Sequence, residues 1–481
     1  MRDQVKQAEV VDFKAAKAKT GSSGSTPGTD LVLNPQDPLP GARKFVETRY
    51  TVSDSRTLHH HLGVFYAWDG TCYQTLDEQT VRAEVYAFLE LAKRPVKDEL
   101  KPYQPNRSKV AELLDALRAE TNLAANIEPP TWLDYVPDMS PPPNECLSCK
   151  NGLLHLSTLE LLDPSPRLFA MNAVDFAYIP DAPIPILWLK FLRDLWGDDE
   201  EAISTWQELL GYFLVPDTSQ QKIALVAGPK RSGKGTLGRV VTALVGRGNV
   251  VAPTLAGLGT NFGLAPLINK TVAIIADARI GGRADQHAIA ERLLSISGED
   301  NLTLDRKYLC CWTGRLPTRF LILTNELPRI ADASGALASR FILFTLTRSF
   351  YGKEDHTLTN RLLTELPGIL NWAIDGWRRL HERGHFVQPA SSAEAIRAME
   401  DLGSPVAAFL RDDCIIDPSV EVLCASLFSA WKIWCEANGR SKPGTAQSFG
   451  RDLRAAVPGL KITQPREEGS RERWYQGVSL K

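Results

Sequence analysis

One run of residues constrains this chain more than any other. Ile223-Ala-Leu-Val-Ala227 is continuously apolar, leads straight into Gly228-Pro-Lys-Arg-Ser-Gly-Lys-Gly-Thr236, and is followed by a helical pattern from Leu237 to Leu244. A strand with no polar alternation is buried on both faces, which a mostly parallel sheet covered by helices provides, so the expected fold class is α/β. Strand, glycine-rich loop and helix in this order make a phosphate-binding loop. Glycines let backbone N–H groups wrap an anion, the helix N-terminus adds its positive end, and Lys234 reaches the β and γ phosphates. The expected nucleotide-binding residues are Gly228, Pro229, Lys230, Arg231, Ser232, Gly233, Lys234, Gly235 and Thr236, and the expected ligands are ATP and Mg2+. Gly235 stands where a Ser or Thr ordinarily meets the metal; the hydroxyl arrives one residue later, at Thr236, which is read as the magnesium ligand from this loop.

Three further apolar strands carry candidate chemistry at their ends. Lys270-Thr-Val-Ala-Ile-Ile-Ala-Asp277 ends in an acid suited to magnesium beside the loop. Ala278 and Arg279 follow, so no second carboxylate adjoins Asp277 to activate water, and a strand-ending aspartate also caps turns. Arg319-Phe-Leu-Ile-Leu-Thr-Asn325 ends in an amide that can hydrogen-bond a γ-phosphate or the attacking water without adding charge, or begin a turn ahead of Pro328. Arg340 directly precedes Phe341-Ile-Leu-Phe, placed either to stabilise transition-state charge on a neighbouring subunit's ATP or to lie on the surface. The expected catalytic set is Lys234, Asp277, Asn325 and Arg340, with Thr236 and Asp277 on the metal.

A length of 481 residues predicts about three domains. Residues 1–45, rich in Gly, Ser, Thr and Pro, are expected to form a flexible arm. An α+β module is expected over 46–185, the α/β ATPase domain over 186–390 and a final module over 403–481. With 43% hydrophobic and 23% charged residues, no apolar run near 20 residues and no secretory signal at the N-terminus, the expectation is a cytoplasmic protein with no membrane partner. A net charge of −2 excludes a general polycation, so any nucleic-acid contact must come from local patches or the inner wall of a ring. Cys146-x-x-Cys149 has no second ligand pair at finger spacing, and consecutive histidines His59, His60 and His61 in a strand alternate faces, so neither is read as a metal site.

Together the loop 228–236, Asp277, Thr324-Asn-Glu-Leu-Pro328 and Ser339-Arg340-Phe341 resemble superfamily 3 helicases. More narrowly, the chain resembles the helicase part of phage and plasmid primase-helicases, through Asn151-Gly-Leu-Leu, Asp181-Ala-Pro-Ile-Pro185, Trp206-Gln-Glu-Leu-Leu-Gly-Tyr-Phe-Leu214 and Asn371-Trp-Ala-Ile-Asp-Gly-Trp377. The resemblance runs from about Tyr50 to the end and includes no primase domain. It implies an AAA+-like core in a ring, commonly a hexamer, with ATP between subunits and single-stranded DNA in the channel. It also implies a DNA-gripping hairpin, which here falls on 298–308, with Arg306 and Lys307 for phosphates and Tyr308 or Trp312 for stacking. The final module resembles a winged helix: Val422 to Cys435 and Thr445 to Ala456 as helices, strands near Leu460 and Trp474 as the wing. Basic residues including Arg440, Lys442, Arg451, Arg454, Lys461, Arg466, Arg471 and Arg473 suit it to duplex or origin DNA, with protein docking as the other use. Implied partners are single-stranded and forked DNA, copies of the same chain, and a separate primase or origin-binding protein. The Gly-Lys-Gly-Thr form of the loop also resembles nucleoside monophosphate kinases, and the lone Asp277 fits an ATP-gated DNA-binding platform with weak turnover; both readings stay open at this level.

Overall fold

The computed structural model describes residues 31–134, 140–278, 285–328, 330, 336–440, 442–464 and 472–481. They divide into two compact units, one drawn from 31–49 and 78–120, the other from 50–77 and 121–481.

The smaller unit is built on the helices Pro38–Arg49, Glu78–Glu90 and Arg107–Glu120. Each buries a stripe at helical spacing: Ala42, Phe45 and Val46; Val81, Val85, Phe88 and Leu89; Val110, Leu113, Leu114 and Leu117. The Phe45 and Phe88 rings meet edge to face with centroids 5.2 Å apart. The helix from Pro38 takes up the end of the arm expected over 1–45, because the polar composition around residue 40 conceals an apolar face that a helix can bury; residues 1–30 of that arm lie outside the described residues. The smaller unit also divides the module expected over 46–185, since these helices pack on one another while the strands of 50–77 belong to the larger unit.

In the larger unit, Leu58–His61, Val64–Trp68 and Tyr73–Leu76 form an antiparallel sheet. His59 and His61 share its buried face, packed against Phe169. The strands Cys146–Cys149, Gly152–His155 and Glu160–Leu162 form a second antiparallel sheet. Cys146 faces a cluster with Leu153 and Leu168, whereas Cys149 joins the main core on the other side, so the two sulfurs cannot converge on one ion. Burial pushes both thiols up to about 12.

The centre is a five-stranded parallel sheet of β1 (Ile223–Ala227), β2 (Val250–Val251), β3 (Val272–Ile275), β4 (Arg319–Thr324) and β5 (Phe341–Thr345), in the spatial order β2-β3-β4-β1-β5. β1, β3, β4 and β5 are buried along nearly their whole length, as their apolar runs predict, and the edge strand β2 is half-buried. One face is covered by the helices Ile186–Trp196, Glu200–Leu214, Lys234–Val245 and Leu366–Arg383. Glu200–Leu214 and Leu366–Arg383 cross at glycines. A Cβ on Gly211 would lie 2.4 Å from the Ala373 carbonyl oxygen, and one on Gly376 would lie 2.4 Å from that of Gln207. Beside the crossing, Glu208 is 1% exposed and accepts from Arg379 Nε at 2.7 Å and from both Arg383 terminal nitrogens. Fully buried Arg319 donates to the Phe213 and Pro317 carbonyls, tying the start of β4 to the end of the first of these helices.

The final module packs the helices Pro405–Asp413, Cys424–Ala437 and Ala446–Ala456 around Phe409, Trp431 and Phe449. Thr445 caps the last helix through a reciprocal bond pair with Ser448. Glu421–Leu423, Trp474–Gln476 and Lys461–Thr463 form its antiparallel sheet. Val422, expected at a helix start, instead pairs with Tyr475 as a strand, and the helix begins at Cys424. Among the described residues no helix is long and apolar enough to cross a membrane.

Two measurements check this packing. Gly211→Ala drives a methyl into backbone atoms of the facing helix and is expected to lower stability by about 1–3 kcal/mol in urea unfolding; an unchanged midpoint would remove the close crossing. Burial, with the Arg56 charge adding to it, holds His59 down to about 4, below the ordinary 6.5. The unfolded chain therefore takes up this proton near pH 6.5 and the folded chain only near 4. Stability is undiminished above pH 6.5 and falls as pH drops through that window, by about 3 kcal/mol for this group. His59→Phe is expected to flatten that slope in unfolding curves taken between pH 7 and 4.5.

Candidate functional site

The loop 228–236 leaves the carboxyl end of β1, where ligands of open parallel sheets bind. Its course is set by neighbours. Gly228 N donates to Thr324 O at 3.2 Å, Phe350 N donates to Arg231 O at 2.9 Å, and Ser349 Oγ donates to Lys230 O at 2.8 Å. Two glycines are required by space. A Cβ on Gly228 would meet Leu346 at 2.7 Å, and Gly233 has a φ of +92° and would strike Leu195 at 2.8 Å. Gly235 is not crowded: a Cβ there meets only Arg239 Nη1, at 3.7 Å, so packing does not explain the missing hydroxyl at that position.

Lys234 opens the helix Lys234–Val245, and its amine donates to the Gly228 and Pro229 carbonyls at 2.8 and 2.7 Å and to Ser232 Oγ at 3.0 Å. Partial burial holds this ammonium below the usual lysine range. Thr236 Oγ1 accepts from Arg239 Nη2 at 3.3 Å, and Arg239 Nε donates to Thr359 Oγ1 at 3.2 Å. These residues line an open cleft of about 1060 Å3. Leu187, Lys190 and Phe191 form one wall, and Phe350, His356 and Leu358 belong to the other.

Asn325 follows β4, the neighbour of β1, and lines the cleft beside the loop. Asp277 is exposed two residues beyond β3, at the same end of the sheet, but does not line the cleft. Arg340 is at the opposite end. It precedes Phe341, whose register partner is Ile223, five residues and roughly 16 Å before the loop. There its guanidinium donates to Gln221 Oε1, and the Lys222 amine donates to Ser339 O at 2.7 Å. The fold thus joins Lys234, Thr236 and Asn325, keeps Asp277 at the same edge and separates Arg340 from them. Arg279 lies outside the described residues.

The expected hairpin is present as Leu302–Arg306 paired with Leu309–Gly314. Tyr308 at its tip is 92% exposed with a φ of +65°, and the Lys307 amine lies 5.2 Å from its ring centroid. Arg306 departs from the expected phosphate role: it donates to the Cys310 and Leu62 carbonyls, both at 2.9 Å, and so ties the turn end of the hairpin to Leu62. Trp312 packs against the core and is not at the tip. In the final module, Arg440 and Arg454 are likewise engaged with the Asp401 and Gly450 carbonyls, while Arg466 and Arg471 lie outside the described residues.

Sequence reasoning missed the walls of the cleft. Leu187 and Phe191 read as an ordinary apolar helix face, and Arg239 and Thr359 are 120 residues apart in a contact only folding creates.

Residues 46–197 match a family model described as D5 N terminal like, and residues 226–340 match one described as a Family of unknown function (DUF5906). An A form apo structure of the NrS-1 C terminal region is 12% identical with a TM-score of 0.50, covering 92% of this chain and 100% of that one. An apo structure of NrS-1 residues 305–718 gives a TM-score of 0.51 at the same identity and coverage. At this identity the likeness is one of fold.

Gly233→Ala combines a left-handed backbone with a clash against Leu195, and is expected to cost about 1–3 kcal/mol in denaturant unfolding. Wild-type stability in that variant would show that the loop does not need glycine there.

Proposed function

We propose that this chain is an ATP-dependent replicative DNA helicase of a phage, plasmid or other mobile element, moving on single-stranded DNA as a ring. The observation that carries the reading is the division of its candidate chemistry between the two ends of one sheet. Lys234, Thr236 and Asn325 meet in a cleft large enough for a nucleotide, while Arg340 stands roughly 16 Å away, too far to serve that nucleotide and suited to another copy's. The D5 N terminal like match supports a relationship to viral-type primase-helicases and a role in replication, and the fold shared with the NrS-1 C terminal region agrees with it.

In this reading the loop amides and Lys234 bind the β and γ phosphates. Lys234 exchanges its present carbonyl partners for phosphate oxygens, and the Thr236 hydroxyl, now accepting from Arg239, would be a ligand to magnesium. Thr236, which borders the cleft, and Asp277, an exposed residue at the same end of the sheet, would hold magnesium, which would supply neutralisation of phosphate charge. Asn325 orients the γ-phosphate or the attacking water, and Arg340 offsets developing charge in trans. Lys307 and Tyr308, exposed on the hairpin, contact the phosphates and bases of the strand. A second reading, an ATP-gated DNA-binding platform with weak turnover, is favoured by the position of Asp277 outside the cleft lining.

The test follows strand separation of a forked duplex and ATP hydrolysis in the same tubes. Wild type is expected to do both, and Lys234→Ala to lose both by roughly a hundredfold or more. Hydrolysis indifferent to DNA, with no strand separated on either fork polarity, would overturn the helicase reading.

A further inference from the structure

The smaller unit carries a cationic surface that the ATPase reading does not use. Lys93–Val96 and Glu99–Pro102 form an antiparallel hairpin, with Arg94 directly opposite Lys101. Like charges facing each other across a strand pair oppose folding unless an anion joins them. Glu99 lies 3.4 Å from the Lys101 amine, an exposed contact that screens it weakly. Arg94 and Lys97 have no carboxylate partner among the described residues, and the Nε of half-buried Arg94 is itself buried with no hydrogen-bond partner there. Lys97 stands at the tip with a φ of +54° and is exposed.

A second misplacement of charge follows within a few residues. The helix Arg107–Glu120 opens with a cation, Arg107, and has no acid in its first turn, against the preference of a helix N-terminus for negative charge. Between Leu91 and Lys109 there are six basic residues and two acidic ones, in a chain whose net charge is −2.

The chemistry of the hairpin also selects among partners. Pro95 and Pro102, one on each strand, remove ladder donors, which disfavours the addition of a protein strand. The aromatic residue of this stretch, Tyr103, is 3% exposed with the Lys109 amine 5.3 Å from its ring, so no base can stack on it as in single-strand binding. A narrow two-stranded ribbon with Arg94 and Lys101 paired across its strands, and with Lys97 beside Asp98 in its turn, suits the groove and flanking phosphates of a duplex. We propose that this hairpin, with the adjoining start of the helix Arg107–Glu120, binds the phosphodiester backbone of duplex DNA. The surface is independent of the motor assignment, because it requires no nucleotide.

The experiment is fluorescence anisotropy of the full chain on a labelled blunt 25-base-pair duplex without nucleotide, between 50 and 300 mM salt, comparing wild type with Arg94→Gln/Lys97→Gln/Lys101→Gln. Removing about three phosphate contacts is expected to make the slope of log K against log salt shallower by about 2 to 3. Thermal stability is expected to stay level or rise, because a like-charge pair has been relieved. A folded variant with the wild-type slope and affinity would overturn the proposal. Independently of the triple variant, a photo-crosslinking residue at Lys97 is expected to label the duplex in the otherwise wild-type chain, and failure to label it while the chain binds that duplex would also overturn the proposal. Running the same titration with Lys234→Ala separates the two assignments: unaltered duplex binding with lost hydrolysis is expected.

Discussion

Everything in the larger unit is arranged around the need to bury β1 on both sides. All five of its residues are sealed from solvent, and they alternate between two cores. Ala224 and Val226 face the helices Ile186–Trp196, Glu200–Leu214, Lys234–Val245 and Leu366–Arg383, whereas Ile223 and Leu225 face a core with Leu258, Ile289 and Phe320. A parallel strand satisfies its backbone only with neighbours on both edges, which β4 and β5 provide. The glycine-rich loop can emerge in one place because that strand cannot move.

The helix crossing at Gly211 and Gly376 serves the same end. By letting two backbones meet, it brings Leu366–Arg383 onto the layer that carries Ile186–Trp196, the helix whose Leu195 leaves no room for a side chain at Gly233. Glu208 is buried yet doubly paired, so the crossing carries no uncompensated buried charge. Segments that resembled a family pattern in the sequence, around Trp206 and Asn371, pack beneath the site and do not line its cleft.

Much of the site was legible because its physics is local. The loop and the strand ends at Asp277 and Asn325 declare themselves through contiguous residues with a strong periodicity or a turn, whereas the hairpin came from the family resemblance, which put it on 298–308 where the structure has it on 302–314. The misreadings have local causes too. Polar residues near 40 masked the buried face of Ala42, Phe45 and Val46, and Val422 was absorbed into a helix because the partner strand that claims it, at Tyr475, lies 53 residues away. Arg306 looked available because nothing near it in the chain shows that the Leu62 carbonyl comes within 2.9 Å.

The sequence by itself determined the parallel α/β centre, the glycine-rich turn that follows β1 and the identity of the residues at the strand ends, since backbone periodicity and glycine placement act over a few residues at a time. Tertiary structure alone decided which of those residues share a cleft. It set Asn325 beside the loop, left Asp277 at the margin, and sent Arg340 to the opposite end of the sheet. Strand order is the physical reason: β4 was inserted between β1 and β3, and β5 against the free edge of β1, by packing energies summed over the whole core, a quantity that no short stretch of residues contains.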